Sequence, residues 1–332
     1  MSADNVAPKL DTAFGRHLSQ SIAIEGLRAL TGGAASATWA FDACAGSEVQ
    51  RCILRASQGA ETISTGLDKG IEAQVQQAAY DAGVPVARIL FVLTPADGLG
   101  EGFVMERIDG ESIPQKILRD PRFQPATELM TRQCAEILSL IHRVDAAPLA
   151  DLPHLTAAQQ IRQYEQIYRD TGEQLPCFEI ALRWLHARAP AVREAPRVVH
   201  GDFRIGNFLV QPQTGITAVL DWELSHLGDP MEDLGWLCVN SWRFGQRDRP
   251  VGGFGQREAL YAAYSAASGV PVDAGRVHFW ETFGVFKWGV ICMYMASGHL
   301  NGEERSVERA AIGRRVSETE IDLLQLLAET GD

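Results

Sequence analysis

Two short segments in the second half of the chain carry side chains suited to chemistry at a phosphate group. In HGDFRIGN, Asp202 and Asn207 lie five residues apart with a glycine beside each, and in LDWE, Asp221 follows an apolar run. Phosphoryl transfer requires a carboxylate near the attacking hydroxyl and oxygen ligands for magnesium. Asp202 could therefore orient or deprotonate an acceptor hydroxyl, and Asn207 and Asp221 could bind the metal.

Other hydrolytic and metal chemistries lack their required residue patterns. A serine hydrolase of the nucleophile-elbow type needs Gly-x-Ser-x-Gly, which does not occur in the chain. A zinc site needs clustered ligands, but His200 and His226 are isolated in the sequence. The six cysteines show no CxxC spacing, which favours buried free thiols over a redox pair or a zinc site.

The composition limits the class of partner. The chain has 332 residues, a hydrophobic fraction of 46% and a formal net charge of -12, which indicate a globular protein and argue against a nucleic-acid or anionic membrane partner. Its first residues lack the basic start and apolar block of a signal peptide. The longest apolar run, WGVICMYMA, is less than half of the roughly 20 residues that span a bilayer. We therefore expect a cytoplasmic protein, whose oligomeric state the composition does not determine.

Hydrophobic periodicity divides the chain into two parts. The first hundred residues alternate as in short strands, except for GIEAQVQQAAYDAG, whose apolar positions have helical spacing. After ERIDGESIP the helical pattern dominates, interrupted by NFLVQ and ITAVLDW, which flank the turn PQTG and predict a hairpin. We predict an α+β fold with a β-rich lobe at 1–107 containing one helix, a mainly α lobe at 108–332, and a hinge at about 105–110.

The spacing of HGDFRIGN and LDWE resembles the catalytic and metal motifs of the aminoglycoside phosphotransferase and choline kinase family, which is related to the protein kinases. The resemblance covers nearly the whole chain, from about residue 25 to 330. GDPMEDLGW and ERSVERAAIGRRVSETEIDLL are most similar to the bacterial branch that also occurs as a kinase-like domain beside acyl-CoA dehydrogenases. This resemblance implies a bilobal, protein-kinase-like fold and ATP-dependent, magnesium-dependent transfer to a hydroxyl group of a small molecule.

The family pattern also implies a nucleotide site in the β-rich lobe. Glu72 matches the helix glutamate that pairs with a basic strand residue, and Arg55 stands where that residue is usually lysine. Lys69 is a possible substitute, but its place just before the helix favours a solvated side chain. TGGAASATW stands where the family's nucleotide loop would be, although two glycines before a strand are more often a simple turn. The implied loop and hinge contacts to the nucleotide are Gly32, Gly33, Ser36, Met105, Glu106, Arg107 and Ile108.

Two further residues have both a functional and a structural interpretation. Arg204, two residues after Asp202, stands where protein kinases often carry a lysine that touches the γ-phosphate, and it could stabilise transition-state charge. The alternative is an ordinary surface arginine. Glu223, two residues after Asp221, could join the metal site as in choline-kinase-like relatives, or it could make a structural hydrogen bond.

The acceptor is left open by the sequence. SWRFGQRDRPVGGFGQR clusters Arg243, Arg247, Arg249 and Arg257, which could receive an anionic acceptor such as a hydroxyacyl-CoA, or could be a solvated basic loop. The acidic net charge instead keeps a cationic amino alcohol possible. Trp242 and Trp280 are candidates for the pocket wall. A nucleotide-binding pseudokinase without turnover is the alternative function, and Arg55 in the lysine position is its main support.

Overall fold

The structure is a computed structural model, and it describes residues 3–30, 36–57, 66–191, 195–302 and 305–329. Its N-terminal part is an antiparallel sheet of five strands in the order β1-β2-β3-β5-β4. The strands are β1 (Ala23–Leu30), β2 (Ser36–Ala45), β3 (Glu48–Ser57), β4 (Ile89–Val92) and β5 (Gly102–Glu106). Two helices accompany them, α1 (Ala3–Leu18) and α2 (Lys69–Asp81).

Helix α1 is an addition to the single helix that the sequence pattern predicted for this part. Val6, Leu10 and Phe14 lie on one stripe of α1 and are fully buried against the sheet. On the facing strand β3, Cys52 and Leu54 belong to the same apolar cluster. Because successive strand residues point to opposite faces, α1 covers the face of the sheet that is turned away from Arg55.

The remainder of the chain is mainly helical, with two small antiparallel sheets. Its helices are α3 (Pro114–Arg119), α4 (Gln124–Ile141), α5 (Ala157–Asp170), α6 (Pro176–Arg188), α7 (Met231–Cys238), α8 (Arg257–Ser268), α9 (Ala274–Leu300), α10 (Val307–Gly313) and α11 (Val316–Glu329). The sheets pair β6 (Arg197–Val199) with β9 (His226–Gly228), and β7 (Phe208–Gln211) with β8 (Gly215–Val219). The second pair is the hairpin that the apolar runs around PQTG predict.

Helix α9 is the central element of this helical part. It is 27 residues long and packs against α7, α10 and α11, and also against α5 and α6. Buried residues such as Trp280, Phe283 and Phe286 place it in the large hydrophobic core. Gly235 of α7 and Gly284 of α9 allow close contact, because a Cβ atom at Gly235 would lie 2.6 Å from the Cβ atom of Trp280. Helices α7 and α9 are therefore held tightly together.

No helix among the described residues is both long enough and apolar enough to cross a membrane.

Candidate active site

The loop after β6 carries the predicted catalytic aspartate, and α7 holds that loop from below. The backbone N–H groups of His200 and Gly201 each donate to a carboxylate oxygen of Asp233, at 2.9 Å. Gly201 has φ +80°, and a Cβ atom there would lie 2.4 Å from the carbonyl oxygen of Leu224, so only glycine fits. Asp233 is fully buried; burial opposes ionisation, but donors that include His142 hold the pKa of its carboxyl below the usual value.

Asp202 follows this turn, and its carboxylate accepts three hydrogen bonds from side chains. Oδ1 accepts from Arg204 Nε at 2.9 Å and from Trp236 Nε1 at 2.7 Å, and Oδ2 accepts from Asn207 Nδ2 at 2.6 Å. Asp202 is only 9% exposed. The predicted residues Asp202, Arg204 and Asn207 therefore meet at one carboxylate. Trp236 was not predicted as a site residue, although its position three residues after Asp233 places it on the same face of α7.

Asn207 links the catalytic loop to the second acidic segment. Its amide nitrogen also donates to the Asp202 carbonyl oxygen at 2.9 Å, so the amide oxygen is the group left for a metal ion. The backbone N–H of Leu220 donates to the Asn207 carbonyl oxygen at 2.8 Å. This bond places Asn207 beside Asp221, the next residue after Leu220. The two predicted metal ligands are thus neighbours, as the motif spacing indicates.

Asp221 stands at the end of the hairpin in an unusual backbone conformation. Its φ of +67° lies in the left-handed region, which costs a residue other than glycine about 1–3 kcal/mol and is often found at functional sites. Its carboxylate accepts a hydrogen bond from Arg55 Nη2. Burial by itself disfavours the charge, but the Arg55 guanidinium lowers the pKa of the Asp221 carboxyl below its ordinary value. The Asp221 carboxylate is therefore ionised, as a metal-binding oxygen would have to be.

Arg55 and Glu72 lie together, as the family pattern implies. Arg55 Nε is 3.3 Å from Glu72 Oε1, and Arg55 Nη2 also donates to Glu223 Oε2 at 2.8 Å. Burial of Arg55 opposes its charge, but Glu72, Asp221 and Glu223 together raise the pKa of the guanidinium. The guanidinium consequently stays charged and connects the β-rich part to the acidic segment after β8.

Lys69 belongs to the same cluster, which corrects the prediction of a solvated side chain. It is 7% exposed, and its Nζ atom donates to Glu72 Oε2 at 2.7 Å and to Glu223 Oε2 at 3.3 Å. The helix begins at Lys69 rather than after it, so its first turn faces the cleft together with Glu72. Sequence position alone suggested exposure because a residue at a helix start is usually on the surface.

The oxygen donors fit a magnesium ion that is bound mainly with a nucleotide. Asp221 and Glu223 both accept hydrogen bonds from Arg55, and the backbone carbonyl of Asn207 is bonded to Leu220, the residue before Asp221. Among the described residues, no group of three His, Cys, Asp or Glu side chains could hold a metal ion by itself. Magnesium is commonly held by one or two carboxylates together with substrate phosphates, so this donor set suits a metal that arrives with ATP.

The predicted nucleotide loop and hinge are only partly visible. Gly32 and Gly33 lie outside the described residues, and of Ser36 only its place at the start of β2 is described. Met105 and Glu106 end β5, and the N–H groups of Glu106 and Arg107 donate to the carbonyl oxygens of Arg88 and Arg51. These two N–H groups are committed to the sheet. A contact to adenine would therefore use other backbone groups of the segment, such as those of Ile108.

The predicted arginine cluster splits into paired and exposed members. Arg243 and Arg257 both donate to the carboxylate of Glu281 on α9, which is 1% exposed. Arg247 and Arg249 are exposed. Two of the four arginines therefore balance a buried carboxylate, and fewer cationic groups are free for an anionic acceptor than the sequence suggested.

A pocket of about 260 Å³ lies between α8, α9 and α11, next to these arginines. Arg243, Arg247 and Arg257 line it together with Glu281 and Asp322, so its wall is mixed in charge. The Trp242 ring contacts the loop that carries Asp202, because the guanidinium of Arg204 stacks 4.6 Å from its centroid. Trp280 lies elsewhere, where its indole N–H donates to Asp229 at 2.9 Å. Of the two predicted wall residues, Trp242 alone contacts the catalytic segment through a described interaction.

Solved phosphotransferases share this fold over their whole length. A protein of Ralstonia eutropha described as an aminoglycoside phosphotransferase superposes with a TM-score of 0.76 at 22% identity, and the match covers 97% of this chain and 98% of that chain. Spectinomycin phosphotransferase, solved with ADP and spectinomycin, gives a TM-score of 0.66 at 12% identity and coverages of 96% and 98%. These similarities confirm the predicted α+β, bilobal, protein-kinase-like fold.

A curated relative and a family match add to this structural similarity. Acyl-CoA dehydrogenase family member 10 of Mus musculus is 28% identical over 263 residues, which are 73% of this chain and 24% of that protein. The chain thus spans about a quarter of that relative's length. The phosphotransferase enzyme family (APH) matches residues 26–269, which contain the catalytic loop, the hairpin, Asp221 and the Arg55–Glu72 pair. The chain therefore belongs to the phosphotransferase enzyme family.

Proposed function

We propose that the protein transfers the γ-phosphoryl group of ATP to a hydroxyl group of a small molecule, with magnesium. The observation that carries this proposal is the shared position of Asp202, Asn207 and Asp221 around one cleft, with Arg55 crossing from the β-rich part to Asp221. The complex of spectinomycin phosphotransferase with ADP supports the choice of an adenine nucleotide. The boundary between the lobes lies at 105–110 in this proposal, where β5 ends and before α3 begins.

The roles of the side chains follow from their contacts. Asp202 Oδ2 accepts one hydrogen bond from Asn207, so it can accept a second from the acceptor hydroxyl and orient its oxygen towards the phosphorus atom. Arg204, which is bonded to Asp202, lies where its charge can stabilise the transferred group. Magnesium, when bound with ATP, neutralises charge on the β- and γ-phosphates. Asn207, Asp221 and Glu223 are the residues that would hold it.

Arg55 would have to change partners when a nucleotide binds. Its guanidinium bonds the same two carboxylates, Asp221 and Glu223, that are assigned to the metal. If those carboxylates held a metal ion, the Arg55 guanidinium would be released from them and could bind phosphate oxygens in a bidentate way. Lys69 keeps Glu72 paired during this exchange, because its bond to Glu72 Oε2 does not involve Arg55.

A nucleotide-binding pseudokinase is the second candidate function. It is favoured by Arg55 at the usual lysine position and by the bond between Arg55 and the proposed metal ligand Asp221. A pseudokinase of this kind would bind ATP without transferring phosphate. The intact constellation of Asp202, Asn207 and Asp221 supports the active enzyme instead.

The acceptor class has two candidates with different support. A hydroxyacyl-CoA is supported by the exposed Arg247 and Arg249 and by the acyl-CoA dehydrogenase name of the mouse relative. A cationic amino alcohol is supported by the net charge of -12 and by the pairing of Arg243 and Arg257 with Glu281. Neither a nucleic acid nor a membrane surface is proposed as a partner, and the proposed compartment is the cytoplasm.

The test is transfer of label from γ-labelled ATP, with magnesium, to a panel of aminoglycosides, amino alcohols, sugars and hydroxyacyl-CoAs. Asp202→Ala is the control, because it removes the carboxylate that orients the hydroxyl while leaving the proposed nucleotide contacts in place. Label in one compound class that disappears with Asp202→Ala supports the enzyme and identifies the acceptor class. Magnesium-ATP binding with equal, background-level labelling by both proteins supports the pseudokinase.

A further inference from the structure

The hydrogen bond from Trp236 to the catalytic carboxylate is not part of the proposed reaction scheme. Trp236 lies on α7 and is 4% exposed, and its Nε1 atom donates to Asp202 Oδ1 at 2.7 Å. Arg204 Nε donates to the same oxygen at 2.9 Å. A carboxylate oxygen offers about two acceptor sites, so Oδ1 is fully used and Oδ2 retains the free one.

Trp236 can hold the carboxylate in one orientation because its own ring is fixed. The rings of Trp236 and Trp242 are 5.2 Å apart and tilted. Helix α9 approaches from the other side at Gly284, where a Cβ atom would lie 3.0 Å from Cε3 of Trp236. Arg204 is a longer side chain, 25% exposed, that also stacks on Trp242. Of the two donors to Oδ1, Trp236 is the more rigidly held one.

A buried lysine lies over the same tryptophan. Lys287 of α9 is 5% exposed, and its Nζ atom is 4.8 Å from the centroid of the Trp236 ring and 5.5 Å from that of Tyr164. It also donates to the carbonyl oxygen of Gly201 at 3.4 Å, which ties it to the catalytic loop. Burial opposes its charge, but Tyr164, Glu232 and Asp202 raise the pKa of the ammonium group. Lys287 is therefore a cation beneath the catalytic loop.

We propose that Trp236 is the positioning residue of Asp202 and that Lys287 strengthens the Trp236 hydrogen bond. A cation over an indole face attracts the π-electrons, which makes the N–H a stronger donor to a carboxylate. The stronger bond holds Asp202 Oδ1 in place, so that the free site on Oδ2 faces the acceptor hydroxyl. This inference rests on the proposed phosphotransferase function, because it assigns Asp202 the task of orienting that hydroxyl.

The first test is an NMR measurement that does not depend on turnover. It records the indole N–H signals of the full chain, labelled with nitrogen-15 in its seven tryptophans. Loss of one signal in Trp236→Phe identifies Trp236. We expect this signal to lie downfield of the other indole signals and to move upfield both in Asp202→Asn and in Lys287→Met. If Trp236→Phe does not fold, the signal that moves in Asp202→Asn identifies Trp236. A spectrum in which no indole signal moves in Asp202→Asn overturns the proposal.

The second test separates the positioning of Asp202 from nucleotide binding. The measured reaction is the hydrolysis of magnesium-ATP, in which water replaces the acceptor. Trp236→Phe keeps the ring but removes the donor, and we expect kcat to fall at least about tenfold, because small misplacement of a catalytic group is costly. The KM for ATP should stay within about twofold of the wild-type value, because Trp236 does not contact the proposed nucleotide residues. Equal kcat values for Trp236→Phe and wild type contradict the proposal.

Matched variants distinguish this role from a general effect on the core. Trp184→Phe, on helix α6, removes an indole N–H that has no hydrogen-bond partner within the described part of the chain, and it should leave kcat and KM unchanged. Lys287→Arg keeps the buried charge and should retain more activity than Lys287→Met; equal loss in both contradicts the role of charge. If the wild-type chain neither hydrolyses ATP nor transfers label to any compound of the panel, the proposed function fails, while the indole spectrum still decides whether Trp236 holds Asp202.

Discussion

The shape of the arginine side chain matters at position 55, because a lysine there could not make the same contacts. Its Nε atom faces Glu72 at 3.3 Å while Nη2 bonds both Asp221 and Glu223. A planar guanidinium can reach carboxylates on several sides at once, whereas a lysine ammonium is a compact charge at one point. Arginine at this position therefore pairs with three surrounding carboxylates, and its presence is compatible with the proposed activity.

The first prediction concerns this residue. In Arg55→Met, we expect magnesium-ATP to bind at least about tenfold more weakly, because a charged phosphate contact worth about 1.5–3 kcal/mol is lost. Binding of a divalent ion without nucleotide should become tighter, because Asp221 and Glu223 lose the cation that competes for them. Calorimetry with magnesium-ATP and electron paramagnetic resonance titration with manganese measure the two effects. Unchanged manganese affinity would show that Arg55 does not compete with the metal.

At the scale of single elements, α7 organises the catalytic loop. Its first turn supplies Asp233, which accepts from the N–H groups of His200 and Gly201, and its next turn supplies Trp236, which donates to Asp202. Because residues three apart lie on the same helix face, one face of α7 fixes both the position of the loop backbone and the orientation of the Asp202 carboxylate. Asp229 caps the start of this helix by accepting from the N–H of Met231 at 3.0 Å.

The second prediction tests the support of the loop by α7. Asp233→Asn removes one acceptor oxygen and leaves a buried N–H unpaired, which should cost about 1–3 kcal/mol of unfolding free energy. The folded-state pKa of Asp233 is lowered, so its stabilisation is present above the ordinary carboxyl pKa and is lost as the pH falls through the lowered value. Urea unfolding should therefore separate wild type from the variant at neutral pH and less so in acid. Asp151→Asn, at an exposed position, is the control.

The third prediction concerns α1, which covers the face of the sheet opposite to the nucleotide residues. Phe14 is fully buried there and contacts Phe41 and Phe91 edge to face. Phe14→Ala should lower the unfolding free energy by about 3–5 kcal/mol, because it leaves a cavity in a small core. Magnesium-ATP affinity of the folded fraction should not change. Leu30→Ala, at a strand position that is 41% exposed, serves as the control, and a strong loss of affinity in Phe14→Ala would contradict this division of the sheet.

At the scale of the whole molecule, the two parts are joined through the site itself. Arg55 bonds Asp221 across the cleft, and the backbone N–H of Leu67 donates to the carbonyl oxygen of Glu223 at 2.7 Å. Further from the site, the N–H of Val219 donates to the carbonyl oxygen of Pro85 at 2.8 Å. Ligands that bind Asp221 and Glu223 therefore act on the contact between the two parts of the chain.

The fourth prediction follows from the position of Asp221 and Glu223 at the contact between the two parts of the chain. Magnesium-ATP at about 100 times its Kd should stabilise the chain by about 2.7 kcal/mol, which corresponds to a rise in Tm of several degrees. Asp221→Asn should remove most of the rise, because the metal loses its charged ligand. Differential scanning calorimetry of both proteins, with ATP plus a chelator as the control, measures the effect. An equal rise in both proteins would show that Asp221 does not hold the metal.

The sequence places the predicted site residues on their local elements, and their roles in the reaction stay predictions. Asp202, Asn207 and Asp221 stand on consecutive short elements, a loop, a turn and a hairpin, whose geometry is determined by nearby residues. The alternation of β3 likewise places Arg55 on the face away from α1. Helix α1 was not predicted, although Val6, Leu10 and Phe14 have the four-residue spacing of one buried helix face.

Tertiary structure alone decided which distant side chains complete the site. Lys69 is buried and forms salt bridges with Glu72 and Glu223. Lys287 donates to the carbonyl oxygen of Gly201, and Glu281 forms salt bridges with two arginines of the predicted cluster. These contacts join segments that are far apart in the chain, and their existence depends on how α2, α7 and α9 pack. Spacing along a sequence determines which residues share one element, but the partner that a buried charge finds is decided only when separate elements come together.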